Sequence, residues 1–150
     1  MNKNLFDRSA ADEILQRIFK LNADSKPLWG KMNVSQMLAH CQIVSQIALG
    51  DTTLKKSFMG FLFGKIAKRQ LMKEQPFKQG LPTAPEFIVK DSRNFEAEKQ
   101  KLEVLVHRFV AADQEVIAKN KHPFFGNLTA GEWGILNYKH LDHHLRQFGA

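Results

Sequence analysis

The sequence predicts an all-α protein: a four-helix bundle with an extra amphipathic helix after the second bundle helix. Three observations carry this. Four stretches of the 150-residue chain place apolar residues at spacings of three and four, the period of a helix with one buried face. Residues suited to helix caps stand at the ends of those stretches, Asn33 and Thr129 at starts and Gly50 at a stop. No run alternates apolar and polar residues as a half-buried strand does. The length suits a single domain, residues 1–150, large enough for a real core.

Ser9, followed by Asp12 and Glu13, reads as the start of the first helix, with Ile14, Leu15, Ile18, Phe19 and Leu21 as its apolar stripe. A turn-rich link with Pro27 and Gly30 follows, and its Trp29 is expected to pack onto the bundle. The second helix starts at Asn33, with Gln36 three residues on to complete a capping box, and stops at Gly50. The stretch from Thr53 to Lys73 is basic and apolar together, and no acid interrupts it before Glu74. It reads most simply as an amphipathic helix covering the bundle with its lysines in water, or as a dimer surface; a lid and a membrane-surface helix are the other readings. Three prolines and a glycine between Gln75 and Lys90 exclude a regular helix. Asp91 and Ser92 then open a long helix expected to run through Asn120, with Asp113 on its inner stripe. Thr129 and Glu132 make a capping box for the last helix, after the turn HPFFGNL.

Composition excludes several classes. There is no apolar run long enough to span a membrane and no secretory signal, so the expected location is cytoplasmic. One cysteine, Cys41, rules out an internal disulfide. The net charge of +7 attracts polyanions in general, but no zinc-finger spacing, aromatic RNA-binding motif or glycine-rich phosphate loop accompanies it, so no specific nucleic acid is expected.

The last helix carries the chemical signal. Trp133, Leu136, Asn137, His140, Leu141, His144, Gln147 and Phe148 share one face, while Lys139, Asp142 and Arg146 lie opposite, as a solvated face would. Two histidines one turn apart on a buried face would need separate partners, or one metal ion shared between them. His40, inside the apolar arc of the second helix, is on its own ordinarily a core residue with a hydrogen-bond partner; beside the other two it is a candidate third ligand. Successive residues diverge by about 100°, so Cys41 reads as a small buried residue rather than a ligand beside His40. Asp113 is a candidate for ligating the ion, for orienting a ligating histidine, or for bonding to nearby backbone. His107 falls on an outer face, His122 in a loop before a proline, and His143 on the rim of the last helix.

These residues carry a resemblance. MLAHC early in the chain, paired with HLDHHLRQ at its end, is similar to the DinB/YfiT-like superfamily of metalloenzymes. WGKMNVSQMLAH, PTAPEF and HPFFGNLTAGEWGILNYKHLDHHLRQFG resemble a branch of it known only as a domain of unknown function. The resemblance implies a DinB-like four-helix bundle holding a divalent metal (nickel, zinc or iron) on three histidines, with His40, His140, His144 and Gln147 at the matching positions. It also implies a homodimer and, from characterised relatives, a transferase acting with a small thiol.

The expectation that follows is a metal-dependent enzyme, a transferase using a low-molecular-weight thiol or a hydrolase. Three protein ligands leave a coordination position for water or a small-molecule substrate. The alternatives are a non-catalytic bundle around a structural ion, and a basic module that docks on a membrane surface or nucleic acid through Lys55 to Lys73.

Overall fold

In the computed structural model, which describes residues 2–150, the helical periods become α1 (Arg8–Lys20), α2 (Val34–Leu49), α3 (Phe58–Leu71), α4 (Phe95–Ala111), α5 (Gln114–Lys119) and α6 (Ala130–Gln147). A 3-10 turn at Pro85–Phe87 lies in the proline-rich loop. A small hairpin, β1 (Lys121–His122) against β2 (Gly126–Asn127), closes the turn before α6. The bundle is α1, α2, α4 and α6. Both α1 and α2 pack against α4 and α6, so α1 and α2 lie across the diagonal from each other. Ile14 and Ile18, Met37 and Leu38, Leu102 and Phe109, and Trp133, Leu141 and Leu145 meet in the core, each at most 1% exposed.

Polar links fix the helices in register. Arg17 of α1 donates to Asp142 of α6 at 2.8 Å, and Gln42 of α2 donates to the buried Glu98 of α4 at 2.7 Å. The Ser45 hydroxyl of α2 donates to the Asn137 side chain of α6 at 2.8 Å. The last two are buried and the first is half-buried; paired in this way, they fix which helix faces which, at little net cost.

The caps of α2 and α6 form as expected. Asn33 with Gln36, and Thr129 with Glu132, complete capping boxes, and Gly50 ends α2 at φ 79°. Elsewhere local chemistry overrides the sequence reading. Asp7 rather than Ser9 stands at the α1 N-cap, and Phe19 points into solvent at 77% exposure. The helix expected to reach Asn120 starts at the Asn94 cap and breaks after Ala111. Asp113 causes the restart: its carboxylate accepts from the Glu115 N–H at 2.8 Å, capping α5. Once the helix is broken there, Asp113 is exposed and has left the inner stripe.

Helix α3 departs most from expectation. It approaches the body of the protein on glycines: a Cβ added at Gly60 or at Gly64 would lie 2.5 Å from the Phe124 carbonyl oxygen. Close approach of backbone to backbone needs residues without side chains. The large apolar residues are therefore turned outward, with Phe58, Phe61 and Ile66 at 74%, 70% and 67% exposure.

Candidate metal centre

Two helices bring the three histidines together. His40 lies in the second turn of α2, and His140 and His144 lie one turn apart near the end of α6. One ring nitrogen from each lies within 4.8 Å of the others, the one grouping of three or more His, Cys, Asp or Glu residues among the described residues that could hold a metal ion. The Nε2 atoms of His40 and His140 are 3.0 Å apart. No carboxylate or thiol joins the group: Asp113 is taken by its helix cap, and the buried Cys41 thiol packs on the Met37 sulfur at 3.6 Å.

Outer contacts orient two of the rings. His40 Nδ1 lies 2.7 Å from the Phe87 carbonyl oxygen, which can only accept, so Nδ1 carries the proton and Nε2 its lone pair. Gln147 does the same for His144. Its amide nitrogen donates to the Trp29 carbonyl at 2.7 Å, which fixes the amide's orientation and presents Oε1 to His144 Nδ1 at 2.8 Å. His144 Nδ1 must then be the donor, and its Nε2 is left as a lone pair. Metal-ligating histidines are ordinarily held in this manner, through the ring nitrogen that does not bind.

The third ring supplies the test of fit. Neutral imidazoles satisfy the His40–His140 contact with one proton, and His140 Nδ1 is then buried without a hydrogen-bond partner. That proton sits on His140 Nε2 and serves His40 alone, while the lone pairs of His144 Nε2 and His140 Nδ1 have no protein donor; a divalent cation in the proton's place would take one lone pair from each of the three rings. The residues present fit a metal ion.

Burial reinforces this chemistry. Desolvation lowers the pKa of His40, lowers that of His140 further, and pushes His144 down to about 3; the neighbouring imidazoles oppose protonation of His140 and His144 as well. All three rings are therefore neutral at physiological pH, the form that ligates. His40 and His144 are buried, and the Nδ1 atom of the half-buried His140 is also shut off from solvent.

The remaining histidines divide differently from the sequence reading. His107 is exposed, as expected. His143 is 9% exposed, with its ring edge-on to Trp29, Phe77 and His144, so it belongs to the wall of the site rather than to a solvated rim. His122 is also buried. Its Nδ1 accepts from the Phe124 and Phe125 N–H groups at 3.1 and 3.2 Å, stapling the hairpin turn, and desolvation lowers its pKa to about 4. Lys139, placed by periodicity on the solvated face, is buried and donates to the Leu71 and Lys73 carbonyls at the end of α3. Periodicity could not reveal that α3 ends there, or that the Phe87 and Trp29 carbonyls orient the histidines, since a backbone acceptor has no residue signature.

A helical bundle with three histidines converging from two inner faces defines the class: the arrangement of the DinB/YfiT-like metalloenzyme superfamily. Within it the chain belongs to the family described as "Protein of unknown function (DUF1569)", whose model matches residues 1–150. None of the curated proteins and none of the solved structures compared with the chain matches it.

Proposed function

We propose that this protein is a metal-dependent enzyme in which His40, His140 and His144 hold one divalent ion, and that it acts on a small molecule either as a thiol-dependent transferase or as a hydrolase. The observation that carries the reading is the grouping of three neutral imidazoles with no fourth protein ligand among the described residues. Structural sites close their coordination with protein atoms, whereas catalytic sites keep a position for substrate. Imidazole donors suit nickel, zinc and iron. When bound, such an ion supplies a Lewis acid, which lowers the pKa of a water or thiol at its free position.

The chain's own residues do the rest. Phe87 and Gln147 keep the Nδ1 protons of His40 and His144 turned away from the centre, so neither ring spends its lone pair elsewhere. Trp29 and Phe77 flank His143, whose ring packs edge-on against His144. The test is a titration of cobalt-loaded protein with small thiols and with azide. A change in the visible spectrum, absent in His144→Ala, is the expected result. A spectrum indifferent to every small ligand would mean a closed, structural site and would end the enzyme reading.

A further inference from the structure

Helix α3 is held to the protein by its smallest residues and by its C-terminal end. Gly60 and Gly64 lie against the Phe124 backbone, Leu71 is buried, and Lys139 caps the last turn. Everything large and apolar on the helix is left outside: Phe58, Met59, Phe61, Leu62, Phe63 and Ile66 are between 47% and 74% exposed. Six such side chains within nine residues form a continuous patch, of a kind that marks an interaction surface when it occurs on a soluble domain.

The charge around the patch selects its partner. Lys55 and Lys56 precede it, and Lys65 and Arg69 follow, all exposed. No acidic residue occurs between Asp51 and Glu74. At 100° per residue, Lys65 and Arg69 project from the same outward arc as Phe58 and Leu62. A second copy packed on this face about a two-fold axis would set these cations against their own counterparts. Lys68 is excluded from the count, being occupied by the Asn127 carbonyl and by Glu132. Phenylalanines and aliphatics bracketed by exposed cations, with Lys56 Nζ resting 5.2 Å over the Phe61 ring and no acid among them, complement a surface that is apolar beneath and anionic above.

We propose that α3 is a membrane-surface helix that docks the protein on an anionic bilayer, with Phe58, Phe61, Leu62 and Ile66 entering the acyl boundary and Lys55, Lys56, Lys65 and Arg69 meeting the headgroup phosphates. The helix lies in the interface rather than crossing it, and none of the described helices is long and apolar enough to span a membrane. This surface is separate from the histidine centre and stands whether or not a metal binds there.

The test is co-sedimentation of the full chain with phosphatidylcholine vesicles, with and without phosphatidylserine, at low and raised salt. Association with the phosphatidylserine vesicles that weakens with salt is expected, and Lys65→Gln and Arg69→Gln should each weaken it about fivefold. Phe61→Asp with Leu62→Asp should abolish it while leaving the helical circular dichroism unchanged. Failure to bind anionic vesicles overturns the proposal. If the protein is then a dimer that Phe61→Asp dissociates, the face belongs to a second copy. Binding that survives the double aspartate variant also overturns it, because charge elsewhere would then be responsible.

Discussion

Replacing Gln147 by leucine, close to it in size, separates its hydrogen bonds from its volume. The amide links two groups that have no other partner: it donates to the Trp29 carbonyl at 2.7 Å and accepts from His144 Nδ1 at 2.8 Å. Leucine leaves His144 Nδ1–H buried and unsatisfied, which costs about 1–3 kcal/mol in the folded protein. The Trp29 carbonyl is nearer solvent and can recruit water, so its loss falls at the low end of that range. The ring also loses what fixes its tautomer, and removal of such a partner typically weakens metal binding about 10- to 100-fold. Urea unfolding of the metal-free protein reads the first effect, and zinc affinity by chelator competition reads the second. Gly30, at φ 82° with the Gln147 amide 2.5 Å from where its Cβ would stand, gives a companion variant: Gly30→Ala should displace the same amide. Wild-type zinc affinity in Gln147→Leu would refute the claim that this amide sets the lone pair of His144.

His122 should contribute a pH dependence of stability. Its pKa falls from 6.5 in the unfolded chain to about 4 in the folded protein, so below 6.5 the unfolded state binds the extra proton and stability is lost down to about 4. Between pH 7 and pH 5 the loss is about 2 kcal/mol at about 1.4 kcal/mol per unit, and His122→Asn should remove it from the difference between urea curves at those two pH values. The glycine contact of α3 is equally testable. Gly60→Ala places a methyl against the Phe124 carbonyl and should cost about 1–3 kcal/mol locally. Hydrogen exchange should accelerate in residues 58–71 and remain unchanged in α2 and α6.

The elements legible in the sequence are those whose determinants are local. The Asn33–Gln36 and Thr129–Glu132 boxes lie within one turn of the helices they start, and both formed as read. The histidine face of α6 was legible because His140 and His144 share a period with Trp133 and Leu141. His40 was a weaker signal, a lone histidine in an apolar arc that became a candidate ligand only beside the pair on the last helix, and the family resemblance matched the same position. What was not legible depends on partners distant in sequence. Lys139 is buried because α3 ends over it, and α3 turns its phenylalanines outward because two glycines meet a loop sixty residues later. Asp113 was misplaced for a different reason. A continuous apolar period from Phe95 to Ile117 hides a break that only the competition between helix interior and N-cap reveals.

The most direct test of the central claim is metal content of protein purified without a histidine tag, equilibrated with zinc and freed of excess. The account predicts a full equivalent per chain in the wild type and in His107→Ala, and far less in His40→Ala, His140→Ala and His144→Ala, each still folded by circular dichroism. Full occupancy in His140→Ala would contradict it, since that ring joins the lone pairs of α2 to those of α6.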